Sequence, residues 1–239
     1  MKRKVLIIGC IIFFLLLIDQ LTKVYIKSSF SSNETNFIFG NWFALNYIEN
    51  PGMAFGTTFG SEIWHKLALS LLRVVAIIFI GIFIYKEIKK DAKIEYLIAI
   101  SLIFSGATGN LIDSMLYDFI FPFNPCEGFN QLAGSGIKMD CMDYGFKQTL
   151  EVRHQGFLLG NVVDMFQFNV IWPSWVPYFS GKQIFPAIWN VADACITSGV
   201  ILIIIRQKNI SLKKYCKIKK KKKLFDIFLL EVPFHASVI

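Results

Sequence analysis

Two aspartates stand in apolar surroundings where an ionised carboxylate is costly: Asp164 in the run LLGNVVDMFQF and Asp193 in NVADACITSGVILIII. A charged group persists in such a place where it faces a polar cavity or takes part in chemistry. Two of them raise the question of a shared proton and a shared substrate, because like charges held close do not both ionise. Other polar residues accompany them in apolar stretches: Asp19, Lys23, Arg73, Asn110, Asp113 and Asn190. Asp19 and Lys23 are four apart, in the acid-before-base order that favours a helical ion pair, and a structural pairing is the better reading of them. Ser101, Ser105, Gly109 and Asp113 make a stripe of small or polar residues at spacing four, which lets helices approach closely.

The elements that must position these groups are membrane spans. Of 239 residues, 54% are hydrophobic and only 18% charged, a balance that excludes an ordinary soluble domain. Four stretches, about 5–25, 66–85, 94–113 and 187–205, are long enough to cross a core of about 30 Å. At a rise of about 1.5 Å per residue, Asp19, Arg73, Asn110 and Asp193 are all expected roughly 18–24 Å from the inner end of their spans, at matched depth. Lysines cluster before the first span, between the second and third (Lys86, Lys89, Lys90, Lys93), and after the fourth (the run 219–223 above all). Four spans put all three clusters on one side, so both termini are expected in the cytoplasm. The net charge of +8 then reads as topology, and no nucleic-acid partner is expected, since no base-reading residues accompany the lysines.

The expected fold is therefore an all-α membrane protein with four transmembrane helices and a small β-rich extracytoplasmic element in the first outer loop. That element is suggested by alternation in NFIFGNWFALNYI and a turn at Asn50-Pro51-Gly52. In the second outer loop, 121–155 is polar and Gly/Pro-bearing like a surface insertion, and 156–168 turns apolar again. The first span continues apolar beyond Cys10, which favours an uncleaved anchor. Of five cysteines, Cys10 and Cys195 read as packing residues, and Cys126 and Cys141 share an outer loop where a disulfide can form. His65, His154 and His235 are far apart with no HExxH, so neither a metal nor another cofactor is expected. A transporter or proton-conducting subunit, using Asp19, Asp193 and Arg73, is the alternative from a different class; it has no evident need of Asp164.

Five motifs taken together resemble the lipoprotein signal peptidase (signal peptidase II) family. They are Asp19-Gln20-Leu21-Thr22-Lys23, Asn50-Pro51-Gly52-Met53-Ala54-Phe55-Gly56, Gly106 to Asp113 (GATGNLID), Gly160-Asn161-Val162-Val163-Asp164 and Asn190-Val191-Ala192-Asp193. The resemblance covers about residues 5–205. It implies a four-span aspartic endopeptidase domain over 1–205, followed by a basic cytoplasmic tail over 206–239. It implies Asp164 and Asp193 as the catalytic pair. Substrate-binding or supporting roles fall to Asn50, Asn110, Asn190, Asp19, Lys23, Gly52, Phe55 and Asp113. The implied substrate is a prolipoprotein whose cysteine carries diacylglycerol, cut just before that cysteine at the outer leaflet of the cell (inner) membrane, with membrane lipids as the other partner. Two departures stand out. Ser114 follows Asp113 where the family commonly has arginine, leaving Arg153 or Lys147 as possible substitutes, or an inactive homologue that only binds precursors. The 121–155 insertion is also longer than compact members need.

Overall fold

The computed structural model describes residues 1–32, 34–51, 60–143 and 145–206. Three long helices, α1 (Lys2–Ser29), α2 (Ile63–Lys89) and α3 (Ile94–Ile120), are apolar enough and long enough to cross a membrane. At about 1.5 Å per residue each measures roughly 40 Å and overruns the hydrocarbon core. A fourth helix, α4, occupies 191–206. Helices α1 and α2 expose most of their apolar side chains, Phe13, Phe14, Leu72 and Phe79 among them, as a lipid-facing surface does. Helix α3 is the half-buried centre of the bundle. Its small residues set the packing distance: a methyl on Gly106 would overlap the Ala192 carbonyl of α4, and one on Gly109 would meet the Asp19 carboxylate of α1. Ser101 and Ser105 return their hydroxyls to carbonyls four residues back, at 2.7 and 2.8 Å, so the stripe buries no unpaired donor.

One end of the bundle gathers the basic termini. Lys4 Nζ reaches Asp91 Oδ1 at 2.6 Å and the Ala92 carbonyl at 2.8 Å, and Arg206 reaches Glu95 at 3.1 Å. The start of α1, the α2–α3 turn and the end of α4 are therefore neighbours, over a core of Ile8, Ile84, Ile88, Leu97 and Ile100.

The opposite end carries a sheet, which corrects the all-α expectation. Strands β1 (Thr35–Phe39) and β2 (Phe43–Asn50) come from the α1–α2 connection; β5 (Val162–Phe168) and β6 (Ile188–Trp189) come from the α3–α4 connection. They run antiparallel in the order β1-β2-β5-β6, with Ile48 opposite Asp164 and Asn50 opposite Val162. The β-branched and aromatic run Val-Val-x-Met-Phe suits a strand buried on both faces. Val163 and Met165 pack with Ile26, Tyr47 and Tyr117 in a second core, so the alternation turns Val162 and Asp164 the other way. Strand β6 also corrects the fourth span. Residues 188–189 join the sheet, and the helix starts at 191.

The 121–155 insertion forms a 3-10 turn (Gly128–Asn130) and a hairpin, β3 (Lys138–Asp143) with β4 (Phe146–Glu151). The Cys126–Cys141 disulfide ties the two together. Cys10 is exposed on α1 and Cys195 is buried. Gly52, Phe55 and the tail over 207–239 lie outside the described residues.

Candidate active site

Helix α4 begins with a reciprocal cap. The Asn190 side-chain oxygen accepts from Asp193 N at 2.9 Å, and Asp193 Oδ2 accepts from Asn190 N at 3.3 Å. This Asn-x-x-Asp arrangement satisfies two backbone donors that a helix start leaves open. It places Asp193 in the first turn, where the helix N-terminus favours negative charge. The apolar run suggested a span from about 187; the cap starts the helix at 191 and puts Asp193 in its first turn.

Asn190 serves a second purpose, being fully buried between two strands of the network. Its Nδ2 donates to Asp164 Oδ1 at 2.6 Å and lies 3.2 Å from both the Val163 carbonyl and Asn110 Oδ1. Asn110, one face of α3, donates to Asp193 Oδ1 at 2.9 Å. Asn50 at the end of β2 donates to the other Asp164 oxygen at 3.1 Å. Three asparagines thus hold two carboxylates without adding charge, which a buried site could not solvate. Burial first, and then the charge of Asp193, push the Asp164 carboxyl up to about 7; the Asn50 and Asn190 hydrogen bonds and Lys23 pull the other way.

Both carboxylates line one cavity of about 600 Å³. Its polar wall includes Asn50, Asn110 and Arg73; its apolar wall is Phe168, Phe185, Ile188 and Trp189. The Arg73 guanidinium of α2 faces this space and is drawn electrostatically to Asp193, Asp113 and Asp164.

Behind the asparagines lies a buried charge cluster. Lys23 Nζ contacts Asp19 Oδ2 at 3.0 Å, Asp113 Oδ2 at 2.8 Å and Asn110 Oδ1 at 2.8 Å. Asp19 Oδ1 accepts from Ala192 N at 2.9 Å, and Asp113 Oδ2 accepts from Val163 N at 3.3 Å. Gln20 Nε2 bridges Asp19 and Asp113 at 3.1 and 3.0 Å. The cluster therefore pins α1, α3, β5 and α4 to one another immediately beside the two carboxylates. Asp19, Lys23 and Asp113 do not line the cavity themselves.

The arginine missing after Asp113 is not replaced from the outer loop. Lys147 is exposed and pairs with Asp140 at 2.8 Å. Arg153 is buried, but it clamps Asp118 through Nη1 and Nη2 at 3.0 and 2.7 Å and Asn130 through Nε at 2.8 Å. It fastens the insertion to α3 and stays out of the cavity. Ser114 is fully buried, with its carbonyl accepting from Gly160 N at 3.0 Å; a methyl on Gly160 would press on this backbone. The strand carrying Asp164 thus approaches α3 too closely for bulk at Gly160. Sequence reasoning found Arg73 by its depth but assigned it only to a conduction path. It missed the aromatic wall from Phe185 to Trp189, whose only local signal was an apolar run before a capping asparagine.

The family model described as signal peptidase (SPase) II matches residues 11–208. A lipoprotein signal peptidase of Porphyromonas gingivalis is 35% identical over 205 residues, covering 83% of this chain and 81% of the relative. One of Amoebophilus asiaticus is 32% identical over 200 residues, covering 80% and 73%. A solved bacterial membrane enzyme superposes with a TM-score of 0.54 at 23% identity, over 90% of this chain and 92% of the other, and shares its fold. With a family model spanning most of its length and relatives this similar, the chain belongs to the signal peptidase II family, the aspartic peptidases that process lipoproteins.

Proposed function

We propose that Asp164 and Asp193 are the catalytic pair with which this signal peptidase II cuts a diacylglyceryl-modified prolipoprotein just before its lipidated cysteine. The observation that carries this reading is Asn190. One side chain caps the helix of Asp193 and hydrogen-bonds Asp164, so the two carboxylates belong to one unit facing one cavity. Near neutral pH the pair holds a single proton, carried by Asp164, whose carboxyl is raised to about 7. Asp193, held at a helix N-terminus and by Asn110, draws a proton from water as the water oxygen bonds to the scissile carbonyl carbon. Asp164 gives its proton to the carbonyl oxygen. The tetrahedral gem-diol then collapses: the C–N bond breaks as the amine takes the proton now on Asp193, one gem-diol hydroxyl returns its proton to Asp164, and the new carboxyl and amine ends leave with the pair again holding one proton. Asn50, Asn110 and Asn190 keep both carboxylates oriented through the cycle, and the Asp19–Lys23–Asp113 cluster fixes the elements that bear them. The apolar wall of Phe168, Phe185 and Trp189 suits the acyl chains and the signal peptide.

The same reading sets the topology. Helices α1, α2, α3 and α4 are the four spans of a peptidase domain over 1–205, with 206–239 as a cytoplasmic tail. The basic end of the bundle, with Lys4, Asp91 and Arg206 in contact pairs, faces the cytoplasm of the cell membrane, and the sheet end lies at the outer leaflet. Both termini are then cytoplasmic. The test is cleavage of a diacylglyceryl-modified precursor by purified wild type, Asp164→Asn and Asp193→Asn. Loss of roughly a thousandfold or more in kcat for each variant, with precursor binding retained, is expected for a pair that acts only in the transition state. Normal cutting by either variant overturns the pair.

A further inference from the structure

Between β5 and β6 the chain makes an excursion that the cleavage chemistry does not use. Residues 169–187 read NVIWPSWVPYFSGKQIFPA, with Lys182 the only charged side chain. They fold back on themselves as an irregular hairpin. Ile184 N donates to the Val170 carbonyl at 2.7 Å, Trp172 N to that of Lys182 at 2.9 Å, and Gly181 N to that of Trp172 at 3.2 Å. Within the tip, Val176 N, Ser180 N and Lys182 N are likewise bonded to backbone carbonyls. Pro173, Pro177 and Pro186 carry no N–H at all. Six backbone donors of this hairpin are thus bonded within it and its three prolines have none, which reduces the number that must meet water.

Its side chains point the other way from a water-soluble tip. Trp175 is 80% exposed, Tyr178 91% and Phe179 53%, and Ile171, Ile184 and Phe185 are exposed along the stem. Tyr178 has a φ of 68°, a left-handed conformation that a tyrosine adopts only at a cost, and here it holds the ring fully outward. The root of the hairpin is continuous with the cavity: Phe168 and Phe185 line it, with their rings 6.3 Å apart.

We infer that the 169–187 hairpin is a membrane-surface anchor, whose tip of Trp175, Tyr178 and Phe179 lies in the outer-leaflet interface beside the mouth of the catalytic cavity. Exposed aromatic rings with a polar edge, three prolines and a single long-stemmed lysine are a composition that such an interface accepts. The occupant is lipid because the hairpin joins a bundle whose helical flanks already face lipid, at the end where the sheet emerges. A second copy of the chain, or water, is the competing occupant. The anchor sets the height of the cavity mouth against the leaflet; that consequence rests on the peptidase reading, but the placement does not.

The test reads placement directly, without activity. Full-length wild type and Trp175→Phe are reconstituted in phosphatidylethanolamine–phosphatidylglycerol vesicles, and the fluorescence that the variant loses is taken as the Trp175 component. Lipids brominated near the headgroup end of the acyl chain are expected to quench that component at least about twofold more than lipids brominated near the chain terminus, while aqueous iodide quenches it weakly. Strong iodide quenching with no response to brominated lipid would place the tip in water and overturn the anchor. A component silent to both would mean that protein covers it, which overturns the anchor in favour of a second copy. Because Trp175 touches neither carboxylate, precursor cleavage in detergent by Trp175→Phe stays at the wild-type level, and a failed peptidase reading would leave the quenching result intact.

Discussion

Asn50→Ala removes the amide that donates to Asp164 Oδ2 at 3.1 Å and leaves Asn190 Nδ2 on the other oxygen at 2.6 Å. Asn50 sits at the end of β2, so the change reaches the carboxyl directly. A neutral donor bonded to a charged group contributes about 1.5–3 kcal/mol, and the lower end applies because Asn50 is only half-buried. Since one pKa unit is about 1.36 kcal/mol, the loss moves the carboxyl up by roughly one unit, from its value of about 7. The direction follows from the chemistry: the amide stabilises the carboxylate, so without it Asp164 keeps its proton to higher pH. The assay is kcat/KM for cleavage of a diacylglyceryl-modified precursor across the pH range, which reports the free enzyme. The alkaline limb, where the pair loses its shared proton, is expected to move up by about one unit, with a fall of roughly tenfold at neutral pH from the lost orientation. An alkaline limb that moves down, or does not move while the variant folds normally, would refute the assignment of the shared proton to Asp164.

Four further outcomes follow from the same geometry. Folding raises the Asp164 carboxyl from 3.8 to about 7, so the native state binds that proton more tightly and stability declines as pH rises between those values. Asp164→Asn should therefore melt several degrees above wild type at about pH 8 and level with it near pH 4, as scanning fluorimetry would show. Lys23→Met leaves Asp19 and Asp113 buried without their cation and is expected to destabilise by about 3–5 kcal/mol, seen as loss of folded protein in detergent. Gly106→Ala forces α3 from the Ala192 carbonyl and shifts Asp193 relative to Asp164; kcat should fall on the order of a hundredfold, while binding of precursor changes little. Cys126→Ser with Cys141→Ser opens a bridge across a separation of 15 residues and should cost the insertion about 3 kcal/mol of local stability, read as faster proteolysis between β3 and β4 with cleavage activity kept.

The helices were legible because their signals are local: apolar length, lysine clusters and the Asp19–Lys23 spacing all lie within a few turns. The sheet was less so. Asn50 and Val162 are register partners more than a hundred positions apart, and no periodicity within either segment announces the other. The run from 156 to 168 looked merely apolar because a strand buried on both faces shows no alternation. The start of the fourth helix was misplaced for a different reason. Counting from an apolar boundary treated 187–205 as one span, although Asn190 three residues before an acid is itself a helix-start signal. Among the site residues, the motifs identified which asparagines and aspartates matter but not that Asn190 touches both carboxylates. That is a property of β5 meeting the start of α4, which only the assembled structure displays.

The cap at Asn190 has a bearing on how such an enzyme is made. A chain that stops before residue 190 carries β2, β5 and Asp164 but lacks both Asn190 and Asp193. On the proposed mechanism it then holds one carboxylate of the pair and lacks the one that activates water. The second carboxylate arrives only when the last helix starts, because the residues that begin that helix are the ones that complete the site. If Asp164 and Asp193 are the catalytic pair, completion of the final helix and the onset of proteolysis coincide, and a partly built molecule cannot cut.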